Sequence, residues 1–530
     1  MARLLLVLLL WTNLTVAQNF SVTWGPLERS NGYLLDILPK NQLDFNTLRW
    51  TGSSSLGSYK LISYDNLTLF NQKRLKLVTE TGLCNFVDAL SFEKGTVVFL
   101  SDRIGPAMTL YAQQYDEELN LTSTKFLAEY QNAKFSAKPE FTIIASQNRK
   151  FIGVIWELEG RGVNSDYYGY KIFGDSLKVV QSGEYNVPFE GNLSTFNAHH
   201  LSNTGDYFIC VTEHNKANDR MFTRSFDNFK SIHVYKASEN ELKEFSIDLQ
   251  GKRIDDLELS SNELGAFALT GIYGTGNKIG IEGIFTIQID PINQAHNSES
   301  FIPFGKEIVK EVWSTRQQDR FANSNNNLSN PNDLNARDYV GPQLYDYHMR
   351  DFFTLSDGSI VGSMEQYYVY QRTTYDNRSS FTTTINYYYY DDIIAFRIST
   401  DGQLIWQKRI PKSQVSTNDY GEFSSYTSFQ SDSTLNFIFN DHQRNYDDLG
   451  AFNRTEDNYY SFNLSKKNNA VALVKIDLKT GEMTREEMES RKELNSIVIP
   501  KQFRVDAFNK EILMYSISNS FERFGILSYK

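Results

Sequence analysis

Cysteine is almost missing from this chain. Only Cys84 and Cys210 occur in 530 residues, too few for the disulfide framework that holds small secreted domains together. Their settings, GLCNF and DYFICVTE, are apolar and strand-like, so both read as buried free thiols. Basic charge is in deficit too: 53 Lys and Arg against 64 Asp and Glu leave a formal net charge of −11. The basic residues are scattered, which removes the electrostatic footprint of a nucleic-acid binder. After the first residues no apolar run approaches the roughly 20 residues of a transmembrane helix, and helical periodicity is absent at any useful length. A Gly-x-Ser-x-Gly elbow is lacking, as is a Gly-rich phosphate loop between a strand and a helix, so the nucleophile and nucleotide sites with those signatures are not expected. An acid–base pair drawn from distant loops leaves no such trace, because it needs only spatial proximity. Hydrolysis therefore stays open.

What is present begins with MARLLLVLLLWTNLTVAQ. Arg3 precedes an unbroken apolar run, and Thr15 and Ala17 supply the small residues of a leader cleavage site. This pattern predicts a signal peptide over 1–17 and export of 18–530. Further on, in IIAFRISTDGQLIWQKRI, Ile394, Phe396 and Ile398 alternate with Ile393, Ala395 and Arg397 before STDG; Leu404, Trp406 and Lys408 alternate after it. Two period-two runs around Asp-Gly predict a hairpin. Similar hairpins recur, as in ALVKIDLKTGEMTREEM, IHVYKASENELKEFSIDL and YGYKIFGDSLKVVQSGEY. Two short apolar strands precede most of them, such as NFVDALSF and GTVVFLSD. Four short antiparallel strands per unit, repeated every few tens of residues, predict an all-β fold, a single β-propeller.

Units near 30–76, 84–130, 138–190, 196–248, 253–304, 348–412, 424–487 and from 500 make eight blades, with seven the nearest alternative because the first unit is irregular. The last unit, FRVDAFN, EILMYSIS and RFGILSYK, is one strand short. NFSVTWGPL, in which Phe20, Val22 and Trp24 alternate, is a spare strand at the other end. Sharing one blade between the two ends would close the ring and remove two exposed edges. A β-sandwich tandem is disfavoured by the short strand spacing, and a pair of smaller propellers by the match of one missing strand to one spare.

Long connections near 312–346, 371–386 and 440–462 interrupt three consecutive units, and surface loops on a rigid repeat are where binding usually resides. The 371–386 segment joins two tyrosine-rich strands. Tyr367, Tyr368, Tyr370, Tyr387, Tyr388, Tyr389 and Tyr390 are the candidate binding patch, because tyrosine offers a stiff apolar face with a hydroxyl at its rim. Alternate rings packing between blades would account for the same run. Asp36, Asp88, Asp256, Asp351 and Asp506 recur on first strands, which line a propeller's central channel. They are candidates for an acidic ring, or for carboxylates that bond to neighbouring backbone. No metal and no cofactor is assigned. His199 and His200 are adjacent on a strand and face opposite ways, Asp333 and Asp338 lack the ordered spacing of an EF-hand loop, and the tryptophans are too irregular for the regular docking of a quinone-dependent propeller.

DGSIVGSMEQYYVY and NYYYYDDIIAFRISTDGQLIWQKRIPKSQ, together residues 357–414, resemble segments of exported, propeller-like proteins of Bacteroidetes bacteria that mostly lack an assigned activity. The resemblance implies an exported protein, periplasmic or associated with the cell surface, and brings no catalytic residues with it. The expected function is a non-catalytic extracytoplasmic binding or scaffold module with an envelope protein or glycan as partner. The alternative is a carbohydrate-active or other hydrolytic enzyme with its site at the channel mouth.

Overall fold

The structure is a computed structural model that describes residues 20, 22–53, 57–131, 141–158, 165–190, 193–216, 228–239, 241–245, 247–275, 280–290, 295–305, 344, 346–376, 381–455, 458–462, 464 and 468–529. The leader at 1–17, nearly all of the 312–346 connection, and with it Asp333 and Asp338, lie outside the described residues. Strand dominates the rest; the α-helical piece is a single turn, Arg491–Leu494, capped where Ser490 Oγ accepts the Glu493 N–H at 3.2 Å.

Eight antiparallel four-stranded meanders span 33–74, 85–130, 141–190, 194–245, 252–303, 347–410, 426–490 and 504–528, the last completed by Val22–Trp24. We number these blades one to eight in chain order. Their first strands touch one another in sequence around the ring. Blade six meets blade seven where Ser428 donates to Asp351, and blade seven meets eight where Thr427 Oγ1 donates to the Pro500 carbonyl. Blade eight meets blade one through the first strands Arg504–Asp506 and Tyr33–Pro39. The chain is an eight-bladed β-propeller.

The apolar alternation in the sequence explains this packing. In the third strand of blade six, Ile394, Phe396 and Ile398 bury against Ala268, Ile272 and Ile284 of blade five. Ile393 and Ala395, pointing the other way, bury against Phe437 and Ala472 of blade seven. A strand covered on both faces reads as a continuous apolar run, which is why IIAF looks unlike an ordinary half-exposed strand. Among the described residues, eight such clusters occupy the eight blade interfaces, including the one between blades eight and one. Each fully buried Leu, Ile or Phe contributes roughly 1.5–3 kcal/mol relative to leaving it in water.

The ring closes as the spare strand suggested. Val22, Thr23 and Trp24 pair with Leu527, Ile526 and Gly525, so the N-terminal strand is the outer strand of blade eight. Gly25 N–H then donates to the Phe524 carbonyl at 2.9 Å, and Arg523 Nη2 caps the Gly25 carbonyl at 2.8 Å. Phe20 meets Phe429 of blade seven edge to face at 5.5 Å.

Four tryptophans rest on glycines. A Cβ on Gly169 or on Gly57 would lie 2.2 Å from the ring of Trp156 or Trp50, one on Gly525 2.6 Å from Trp24, and one on Gly481 2.8 Å from Trp406. The bare glycine gives each large ring a flat seat. Both cysteines are buried and unbridged, and burial in the core pushes the Cys210 thiol up to about 12.

Candidate binding surface and channel

The second and third strands of blade six, Ile360–Asp376 and Phe381–Ile398, are about twice as long as ordinary strands. They stay paired from Ile360–Ile398 out to Asp376–Phe381. The described part of the 371–386 connection is therefore not irregular: Gln371 to Asp376 and Phe381 to Asn386 prolong the ladder as a two-stranded ribbon beyond the blade. Alternation of Thr and other β-formers there supports the ladder.

The tyrosines lie at the root of this ribbon and divide between its faces. Cross-strand partners share a face. Tyr367 pairs with Tyr390 and Val369 with Tyr388 on one side; Tyr368 pairs with Tyr389 and Tyr370 with Tyr387 on the other. The first side is covered. Tyr388 and Tyr390 are buried, Tyr388 meets Tyr420 at 5.7 Å, and the Lys501 ammonium lies 4.2 Å above the Tyr390 ring while another Lys501 bond, 2.7 Å long, reaches the hydroxyl. Burial lowers Lys501 to about 8. On the second side Tyr368 and Tyr389 stack at 4.7 Å, and Tyr370 stands 6.0 Å from Tyr387 and is exposed. The run thus supplies both packing rings and a row of accessible ones.

Asp391 and Asp392, next after the four tyrosines, mark the break between blade and ribbon. The ladder skips from the Glu365–Ile393 pair to the Tyr367–Tyr390 pair, leaving two residues opposite Gln366. Such a bulge bends the strands and frees backbone groups. Asp392 takes them up from the fourth strand and beyond: it accepts Arg409 Nε at 2.9 Å, the Lys412 N–H at 3.0 Å and the Tyr459 hydroxyl at 3.1 Å. Burial pushes Asp391 up to about 6 despite the nearby Lys412. Beneath the bend, fully buried Glu365 is held by Lys412 Nζ at 2.9 Å, Arg350 Nη2 at 3.0 Å and Ser425 Oγ at 2.6 Å. A buried carboxylate with this many donors is costly to break apart, so the base of the ribbon is fixed. Tyr459 belongs to the 440–462 connection, which is also ordered by contacts: Asp441 bonds Arg485, Tyr446 and Asn445, and Arg485 stacks on Phe452 at 4.2 Å.

The channel acids have a local cause. In blades one, two and five the ladder between first and second strands skips Leu35, Val87 and Asp255, just before Asp36, Asp88 and Asp256. In each case the aspartate Oδ1 accepts the next backbone N–H, from Ile37 at 2.8 Å, Ala89 at 2.7 Å and Leu257 at 3.0 Å. The repeated acid is the cap of a repeated bulge. Asp351 lies inside a wider bulge and accepts Ser428 Oγ at 2.7 Å. Arg504 pairs with Asp36, and the Met349 N–H donates to Asp256 at 3.1 Å. Burial pushes Asp351 up to about 6, and burial with the Asp36 charge pushes Asp88 to about 6. Glu258, which the sequence did not single out, is pushed up to about 7 by burial and by Asp256 and Asp351.

Asp506 stands apart from that group. It ends its strand rather than capping a bulge, accepts the N–H groups of Phe508 and Asn509 at 3.2 Å, and pairs with Arg149 at 2.7 Å. Arg149 comes from the first turn of blade three. It also donates to the Lys40 carbonyl of blade one at 2.8 Å and lies 5.7 Å from the Phe508 ring centre. One side chain thus bridges from blade three past blade two to blades one and eight. The adjacent histidines do face apart: His199 bonds Glu157 of blade three at 2.7 Å, His200 bonds Ser261 of blade five at 2.8 Å.

Fold and site together define a closed eight-bladed propeller that carries a rigid tyrosine ribbon. No protein-family model matches the chain, and no curated protein matches it. Among solved structures, the WD40 domain of SCAP from fission yeast is similar over 96% of this chain and 94% of that one, at 7% identity and a TM-score of 0.37. The β-propeller domain of the Trilobed protease from Pyrococcus furiosus is similar over 87% and 97%, at 9% identity and a TM-score of 0.34. Acylaminoacyl peptidase from Pyrococcus horikoshii is similar over 78% of this chain, at 9% identity and a TM-score of 0.31, and the match spans 59% of that enzyme's length.

Proposed function

We propose that this chain is an exported, non-catalytic binding or scaffold propeller whose partner, an envelope protein or a glycan, docks on the open tyrosine face of the blade-six ribbon. The observation that carries this is the two-sided ribbon: one face is locked down by Tyr420 and Lys501, while the other presents Tyr368, Tyr389, Tyr370 and Tyr387 in paired rows. Rigid aromatic rings held by a fixed base lose little freedom on binding, which is the property of interface anchors. Export rests on the leader pattern at 1–17, and kinship with the exported propeller-like proteins of Bacteroidetes on residues 357–414. The test is capture of envelope extract and of arrayed glycans by the mature chain. Tyr370→Ser with Tyr387→Ser should reduce capture about tenfold and leave the unfolding midpoint in place, whereas Tyr388→Ser with Tyr390→Ser should lower the midpoint. Undiminished capture by the first pair would overturn the docking assignment.

A hydrolytic site at the channel mouth is the second function, favoured by Glu258, a carboxyl raised to about 7 beside Asp256 and Asp351. A proton donor raised toward neutrality next to another carboxylate is what glycoside cleavage requires. Turnover of chromogenic glycosides that disappears in Glu258→Gln would establish it; no turnover by the unmodified chain would exclude it.

A further inference from the structure

The ribbon leaves its blade between second and third strands. Because successive strands run antiparallel, the turns between first and second strands, and between third and fourth, fall on the opposite face. There, a cavity of about 660 Å³ lies over blade two, within the size range of small-molecule sites. Its walls come from four blades: Lys40 from blade one, Phe92 and Lys94 from blade two, Lys150 and Leu177 from blade three, and Phe508 from blade eight.

Lys40 is the unusual member. It is 7% exposed, yet its ammonium makes no hydrogen bond and no ion pair among the described residues. Asp44 senses its charge without pairing to it. Its backbone is fixed: the carbonyl accepts Arg149 Nη1 at 2.8 Å and Asn509 Nδ2 at 3.2 Å. Arg149 is itself neutralised by Asp506, so it does not compete for an anion. The two acids on the wall, Glu93 and Asp116, differ in availability. Asp116 is engaged in its own turn, accepting the Asn120 N–H at 2.7 Å, and Glu93 is outweighed by Lys94 and Lys150. A buried ammonium without a counter-charge is unfavourable unless an anion completes it.

We propose that this cavity binds a small organic carboxylate with an apolar body, its carboxylate on Lys40 and its body between Phe92, Leu177 and Phe508. The apolar wall excludes a bare inorganic anion as the preferred occupant, since phosphate would leave those side chains uncovered. The mouth cations Lys94 and Lys150 steer the anion in; Lys40 holds it.

The experiment is calorimetric titration of the full mature chain with N-acetylphenylalanine, its primary amide, octanoate and inorganic phosphate. Saturable binding of one or both carboxylates is expected, with the amide and phosphate at least about tenfold weaker, a difference on the order of 1.4 kcal/mol. Which carboxylate binds tighter tells an aromatic body from an aliphatic one. Lys40→Met, which keeps the stem, should reduce carboxylate affinity about tenfold or more and raise the unfolding midpoint, because it removes a stranded charge. Lys94→Met should change affinity less than about threefold, as expected of an exposed steering charge. Carboxylate and amide binding equally, phosphate binding as tightly as the carboxylates, no saturable binding by any probe up to millimolar concentration, or unchanged affinity in Lys40→Met would each overturn the assignment.

Discussion

Removing residues 18–30 from the mature chain should open the ring. The deletion takes away the Val22–Trp24 ladder on Gly525–Leu527, the shorter pairing of Glu28 and Arg29 with Glu522 and Phe521, and the Gly25 bonds to Phe524 and Arg523. Phe20, Val22 and Trp24 are half-buried, packed on the cluster that joins blades seven and eight; each contributes roughly 1–1.5 kcal/mol by apolar burial. The lost hydrogen bonds add about 1 kcal/mol each where their partners stay sheltered. The sum is about 4–6 kcal/mol, a large part of the roughly 5–15 kcal/mol by which a typical domain is stable. A second effect follows from geometry: Phe521–Ser528 becomes an unpaired edge, a template for strand addition by another copy. Thermal unfolding should therefore show a midpoint lower by on the order of 10 °C, and size-exclusion chromatography a shift from monomer to larger species. A synthetic peptide covering 18–30 should restore both. An unchanged midpoint and a monomer peak in the truncated chain would refute the closure mechanism.

Further outcomes follow from individual contacts. Gly169→Ala places a methyl group 2.2 Å from the Trp156 ring and should cost about 1–3 kcal/mol of overpacking, read as a lower denaturant midpoint with unchanged slope. Asp441→Ala strands the buried Arg485 guanidinium, which pairs with it in the interior of blade seven; a loss of about 3–5 kcal/mol is expected in urea unfolding, and a loss below about 1 kcal/mol would show that the pair is not sheltered. The channel carboxyls set a pH dependence. Asp88, Asp351 and Glu258 are held at about 6, 6 and 7, so the folded state binds these protons more tightly than the unfolded chain does. Their contribution is full below the ordinary carboxyl range near 4 and is lost as pH rises through 6 to 7. The urea midpoint should accordingly fall between pH 5 and pH 8, and Asp351→Asn with Glu258→Gln should flatten that fall.

Strand-level organisation was legible because propeller packing is written in local pattern. Ile394 and Ala395 bury on different neighbours, so a period-two run with no polar face signals a blade interior, and the Asp401-Gly402 turn marks its end. The spare strand at Val22 was readable because a missing strand at the other end gave it a partner. The tyrosine run was legible as a patch, but its division into covered and open faces was not: that depends on Tyr420 and Lys501, which lie 30 or more residues away in sequence. The five aspartates were visible as a repeat, while their origin lay in skipped residues such as Leu35 and Val87, and a bulge has no composition of its own. Glu258 and Lys40 carry no motif at all. Their character comes from what surrounds them in space, Asp351 from the next blade in one case and Arg149 from two blades away in the other.

The Arg149 bridge gives the channel a direction. Propellers are easily pictured as pipes, open at both faces. Here a guanidinium anchored on the carboxylate of Asp506 and the carbonyl of Lys40 lies across the exit on the face away from the ribbon. A polypeptide or glycan strand threading the ring would have to pull a charged pair out of a sheltered position before its tip could emerge. The central hole is therefore better thought of as a cup with its rim at the ribbon and its acids on the wall: whatever enters between the blades leaves by the way it came.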